Sequence, residues 1–146
     1  MGILIQPSHI ITALSATSKN EVLAEMAGLL VDFDHDALLA ALLDREAVGA
    51  TAIDPGLAVP HAKLSGAKEM QVCFARSRTG LQWGAPDHQL VHLIFLLVAP
   101  MDSSDQYLQT LATLCRFLRD SNNRNLLLSS SDKEVASIFA AAKELQ

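Results

Sequence analysis

Cysteine is scarce: only Cys73 and Cys115 occur, each within an apolar periodic segment, which points to buried free thiols and away from a disulfide framework, a metal set or a catalytic thiol. Positive charge is sparse as well. The formal net charge is −5 and the basic residues are scattered, so the cluster of cations with interleaved aromatics that marks a nucleic-acid surface is missing, and no nucleic-acid partner is expected. Long hydrophobic runs are absent too, since the longest, Leu93 to Ala99, falls far short of the ~20 residues that cross a bilayer. The N-terminus lacks a basic region followed by an apolar stretch, so a soluble, cytoplasmic protein with no membrane insertion is expected. No repeat, linker or low-complexity segment divides the 146 residues, half of them apolar, and one domain spanning 1–146 is expected.

Converging metal ligands are also missing. His88 and His92 have a spacing that meets on one ion only in a helix, whereas their segment reads as strand, where four residues span ~13 Å. His92 then reads as a core-edge residue and His88 as a loop residue, while His9 and His35 have no clustered partners. No metal and no other cofactor is expected, which leaves a metal-dependent hydrolase without its ligands. Trp83, in Gly80-Leu81-Gln82-Trp83-Gly84, reads as the anchor of a satellite cluster under a loop.

What is present is a regular series of element signals. Ser18-Lys19-Asn20-Glu21 reads as a capping box before a helix buried through Val22, Met26, Leu29 and Leu30. Asp34-His35-Asp36 offers an N-cap to a second helix with Leu38, Leu39, Leu42 and Leu43 at helical spacing and Arg45-Glu46 at its end. Gly49 and Asp54-Pro55-Gly56 break the chain into loop and turn. Met70 to Ser77 is strand-like, and Leu90 to Ala99 more strongly so, with Val91, Leu93, Phe95 and Leu97 on one face and Ile94, Leu96 and Val98 on the other. Two apolar faces mark a central strand covered on both sides. After Pro100, Ser103-Ser104-Asp105-Gln106 reads as another capping box, opening a helix with Leu108, Leu111, Cys115 and Leu118 on one stripe. Asn122 to Ser130 reads as a short helix, and Ser131-Asp132-Lys133-Glu134 as a third box before Val135, Ile138, Phe139 and Ala142. Interleaved helices and buried strands predict an α/β fold, a single-domain mixed β-sheet sandwiched by helices on both faces.

Gly49 to Lys63, GATAIDPGLAVPHAK, carries the main chemical signal. Pro60 fixes its own φ and pushes Val59 into an extended conformation, so His61 should leave a strand end in a defined direction. A neutral imidazole so placed can attack a phosphoryl donor and later release the group. The plainer reading is a strand-end histidine whose ring is satisfied by a backbone carbonyl. Arg45 likewise has two readings: a guanidinium fork matched to phosphoryl oxygens, or a solvated residue favoured by the helix dipole. Thr51 could donate its hydroxyl, and amides near Gly49 or Gly56 could form an anion-binding concavity, or the glycines could serve loop geometry alone.

Taken together, Gly49 to Lys63 and LVHLIFLLVAPMDSSDQYLQTLATLCRFLRD, Leu90 to Asp120, resemble the fructose, mannitol and nitrogen-regulatory type of enzyme IIA in the bacterial sugar phosphotransferase system. The resemblance covers about Ile3 to Ala142, and its elements here are Arg45-Glu46, Gly49, Thr51, Ile53, Gly56 and Pro60-His61. It implies a phosphotransferase component working through a phosphohistidine intermediate on His61, with Arg45 near the phosphate. It also implies an HPr-like phosphocarrier protein as donor, and a IIB domain or a regulatory target protein as partner. Where the family usually has a second histidine, this chain has Tyr107, which can donate a hydrogen bond but, with a reference pKa of about 10, cannot become a cation near neutral pH. Ala50, Ala52, Asp54 and Pro55 also replace small glycine- and serine-rich residues, and Asp54 adds an anion that would oppose phosphate if it pointed inward. The readings to separate are a phosphoryl carrier and a regulatory binding module using the same surface. For a carrier, Leu57, Val59 and Leu64 are expected to provide an apolar docking surface around His61.

Overall fold

A computed structural model describes residues 2–53, 56–85 and 88–145. The elements in chain order are β1 (Ile10–Ile11), α1 (Lys19–Ala27), α2 (His35–Val48), β2 (Ala52–Ile53), β3 (Leu57–Ala58), β4 (His61–Lys63), β5 (Gln71–Leu81), β6 (Val91–Ala99), α3 (Ser104–Arg119), α4 (Ser121–Ser129) and α5 (Asp132–Ala141). Asp54 and Pro55, read from sequence as part of a turn, lie outside the described residues.

Most helix starts follow the local signals. Ser18 Oγ accepts from the Glu21 amide and Asp34 Oδ1 from the Ala37 amide, each such cap contributing about 1 kcal/mol. At α5 the Ser131 amide and hydroxyl both donate to Glu134 Oε1. The box expected at Ser103 does not form: its hydroxyl donates instead to the Pro100 carbonyl, 2.7 Å away, in the turn after β6 where the Ser103 amide also donates to that oxygen.

The sheet has six strands in the order β1-β5-β6-β3-β2, with β4 also paired to β6. β6 is therefore central. β5 runs antiparallel to it, while β3 and β4 run parallel to it in succession. Pro60 separates these two short strands because it has no amide to give, yet its carbonyl still accepts from Leu97 N–H at 3.0 Å. His61 thus begins β4 and stays in the sheet, where the sequence had suggested that it leaves a strand end.

Helices cover both faces. On one, Val22, Leu23 and Met26 of α1 and Leu38 and Leu42 of α2 pack with Cys73, Ala75, Ile94, Leu96 and Val98. On the other, α3 to α5 bring Leu114, Phe117, Leu118, Leu127, Val135 and Phe139 against Phe74, Leu93, Phe95 and Leu97. Each fully buried Val, Leu, Ile, Met or Phe side chain among these contributes roughly 1.5–3 kcal/mol. The α3 stripe differs from the expected one: Thr110, Leu114, Phe117 and Leu118 are buried and Leu108 is exposed. Val91 also changes sides and joins the α1–α2 core. The amides of His92 and Leu93 both donate to the Gly56 carbonyl, a bulge that breaks the alternation between Val91 and Leu93. Gly56 itself has φ +72 and the Leu90 carbonyl 3.3 Å from where a Cβ would sit, so a side chain there would meet both strain and crowding.

Trp83 belongs to the α1–α2 core and not to a satellite cluster; it is 2% exposed. Among the described residues, no helix is long and apolar enough to cross a membrane.

Candidate functional site

His61 is half-buried at the start of β4, opposite Leu97 of β6. Its neighbour Ala62 packs into the α1–α2 core, so strand alternation turns His61 and Lys63 toward the α3 side. There the ring meets Tyr107, with centroids 5.1 Å apart and planes tilted by 51°. From α2, Arg45 Nε donates to His61 Nε2 at 3.0 Å, and Arg45 Nη1 donates to the Gly49 carbonyl at 2.9 Å. Arg45 is in the last turn of α2, as its position before Gly49 predicts.

The other ring nitrogen settles the tautomer. His61 Nδ1 is 2.9 Å from the Val59 carbonyl, a pure acceptor, so Nδ1 carries the hydrogen and Nε2 the lone pair. The carbonyl-satisfied histidine and one with an unprotonated Nε2 are thus the same arrangement, because the backbone bond holds the hydrogen on Nδ1 and leaves the Nε2 lone pair to accept from Arg45. Burial holds the His61 pKa below its ordinary 6.5; the Val59 bond opposes this, the Arg45 charge adds to it, and Glu46 opposes it. The imidazole is accordingly neutral at physiological pH.

Tyr107 keeps its proton for a related reason. Burial raises its pKa, with Arg45 pulling weakly the other way, so the phenol remains a donor. Lys63, which sequence reading passed over, lies on β4 two residues beyond His61. Its ammonium is 5.9 Å from the centre of the Tyr107 ring and donates to Ser104 Oγ at 2.7 Å. The signal that could have found it is the period of two along a strand.

Thr51 is placed differently from the expectation that its hydroxyl faces phosphate. It is buried, and its hydroxyl donates to Glu46 Oε1 while its amide donates to Glu46 Oε2 at 3.2 Å. Trp83 Nε1 in turn donates to Thr51 Oγ1 at 3.4 Å, and Lys19 Nζ lies 2.5 Å from Glu46 Oε2. Thr51 thus fastens the loop to the end of α2.

The expected apolar collar needs correction. Leu57 and Val59 are buried in the α3–α5 core, since both faces of β3 and its extension are covered. Exposed apolar side chains instead stand on the segments flanking the site, Val48 at the end of α2, Met101 before α3 and Leu108 beside Tyr107. The Asp54 question falls outside the described residues. His92 Nδ1 is 2.9 Å from the Ser77 carbonyl, and His88 has φ 59. No group of three or more His, Cys, Asp or Glu able to hold a metal occurs among the described residues.

Comparison with known proteins adds the context. Residues 3–142 match the model of the family described as the phosphoenolpyruvate-dependent sugar phosphotransferase system, EIIA 2. A nitrogen regulatory protein from Bradyrhizobium diazoefficiens is 34% identical over 134 residues, covering 90% of this chain and 88% of the relative. A fructose-specific EIIA component from Haloferax volcanii is 36% identical over 101 residues, 69% of this chain and 66% of the relative. Among solved structures, the nitrogen regulatory protein IIA-Ntr from Neisseria meningitidis superposes with a TM-score of 0.87 at 30% identity, covering 93% of this chain and 96% of that one.

Proposed function

We propose that this chain, which belongs to the phosphoenolpyruvate-dependent sugar phosphotransferase system EIIA 2 family, carries a phosphoryl group on Nε2 of His61. The observation that carries this reading is the pairing of that ring, its Nδ1 tied to Val59, with the Arg45 guanidinium at 3.0 Å. The Nε2 lone pair attacks the phosphorus held on the phosphohistidine of an HPr-like donor. As the new N–P bond forms, the donor's N–P bond breaks and its electron pair returns to the donor imidazole. The hydrogen stays on Nδ1 throughout, donated to the Val59 carbonyl. Arg45 then turns from the ring nitrogen to the phosphoryl oxygens, with the Tyr107 hydroxyl donating and the Lys63 ammonium adding positive charge. Docking supplies the proximity, so no cofactor is required. The exposed Val48, Met101 and Leu108 offer apolar contact for the transient partner.

The group then passes to a IIB domain, or is held as a signal read by a regulatory target protein. Similarity to two nitrogen regulatory proteins supports the regulatory outcome, and similarity to a fructose-specific component supports onward transfer. The test is labelling from phosphoenolpyruvate with enzyme I and an HPr-like donor. The wild-type chain should take up label and His61→Ala should not; equal labelling of the variant removes His61 from the reaction. Adding a IIB acceptor to the labelled chain separates a transport role, in which label moves on, from a regulatory one.

A further inference from the structure

Behind the phosphoryl site lies a second set of contacts that the transfer step itself does not use. Lys19, the first residue of α1, reaches across to Glu46 near the end of α2, with Nζ 2.5 Å from Oε2. The same ammonium lies 3.4 Å from the Trp83 carbonyl and 5.5 Å from the centre of the Trp83 ring. Glu46 spends its remaining capacity on the amide and hydroxyl of Thr51, and Trp83 closes the ring of contacts through its indole N–H. The side chains are 22% exposed for Lys19 and 5% for Glu46, so the carboxylate is nearly dry and the ammonium is its one cationic partner among the described residues.

The residue next to Glu46 is Arg45, whose guanidinium rests on His61 Nε2 and on the Gly49 carbonyl. We propose that Lys19 is a positioning residue for the His61 site: through Glu46 it locks the end of α2 to the loop at Thr51, and it offsets a carboxylate charge that would otherwise act more strongly on the imidazole. The inference rests on His61 being the phosphoryl-accepting residue, but its electrostatic half can be read without any donor protein. The groups facing His61 are Arg45 and Glu46 from α2, Tyr107 from α3 and Lys63 from its own strand. Of these, Glu46 favours the protonated ring, and Lys19 stands directly against it.

Two substitutions of opposite sign test this. Lys19→Met leaves the carboxylate uncompensated and should move the His61 titration midpoint upward, whereas Glu46→Gln removes the anion and should move it downward, both followed by imidazole NMR. Lys19→Met should also slow label uptake by ~10-fold or more, the scale of a misplaced catalytic group, and Lys19→Arg should restore both midpoint and rate. Circular dichroism and a cooperative urea unfolding transition check that each variant is folded. Unchanged midpoints in both variants overturn the proposal, as does slowed uptake that Lys19→Arg fails to rescue. If Lys19→Met does not fold, Lys19→Gln takes its place, and a midpoint that stays or falls sinks the proposal. A wild-type chain that takes up no label while the two midpoints shift as stated would fail the transfer reading and leave the electrostatic role of Lys19 standing.

Discussion

Arg45 directs its Nε hydrogen at the one nitrogen of His61 that the Val59 carbonyl leaves unprotonated. A single guanidinium therefore occupies the resting lone pair and disfavours the imidazolium, and on the proposed reading it is also the group that would meet an incoming phosphoryl oxygen.

Arg45→Ala should lower label uptake by ~100-fold or more, the scale seen when a preorganised donor is removed from a developing anion. Its charge also depresses the His61 pKa, so the substitution should shift the ring's titration midpoint upward, which imidazole NMR reads directly. Full uptake in Arg45→Ala would assign the arginine to the helix end alone.

Acidification gives an independent check. The folded pKa of His61 lies below 6.5, so its ring stays neutral as pH falls past that value, and if His61 accepts the phosphoryl group initial uptake should hold there and decline only at lower pH. The same shift has a stability sign. Above pH 6.5 both folded and unfolded rings are neutral; below it the unfolded chain protonates first, so His61 costs stability increasingly until the folded pKa is passed. Urea midpoints of wild type and His61→Ala should therefore converge or cross in wild type's disfavour as pH drops through this window. A gap that widens in favour of wild type would contradict it.

On the proposed reading Tyr107 and Lys63 would divide work that one histidine could do alone, since the first donates and the second is charged. Tyr107→Phe should shorten the phosphohistidine half-life severalfold through loss of one donor, and Lys63→Met should do so more strongly at low than at high salt, because an exposed charge is screened. Tyr107→His should restore positive charge only at acidic pH. Half-lives of the purified labelled chain, measured by acid-labile phosphate, decide among these.

Arg76 provides a control remote from this chemistry. It is 1% exposed, and it donates to the carbonyls of Thr12, Leu127 and Ser130, tying the β1 edge to the α4–α5 junction. Its Nη2 has no hydrogen-bond partner and lies 3.6 Å from Asp132 Oδ1. Arg76→Met would strip three carbonyls of their donor at ~1–3 kcal/mol for each left unsatisfied, a loss of about 3 kcal/mol or more in urea unfolding. Label uptake by the folded fraction should be unchanged.

The architecture was legible because its signals are local or periodic. Caps at Ser18 and Asp34, the doubly apolar run of β6 and the spacing of Val135, Phe139 and Ala142 each act within a few residues. Arg45 and His61 could be paired only through the family pattern, since the chain between them passes through a loop and two strands before α2 meets β4. Contacts that depend on register escaped. Val91 changes face because Gly56 takes two consecutive amides, and Leu57 and Val59 disappear into the core because their strand lies against β6. Lys19, Glu46, Thr51 and Trp83 come from four separate segments, and no spacing in the chain announces that they meet.

Cys73, on β5 beside Leu96 of β6, is fully enclosed in the α1–α2 core, and burial pushes its thiol up to about 12. The thiolate is the form that reacts with alkylating reagents, so this sulfur is silent for as long as the sheet is intact. Cys115, on α3 and partly open to water, is left as the sole practical attachment point. The folded protein thus behaves toward a maleimide dye as though it had a single thiol, and the appearance of a second adduct counts the molecules that have come apart.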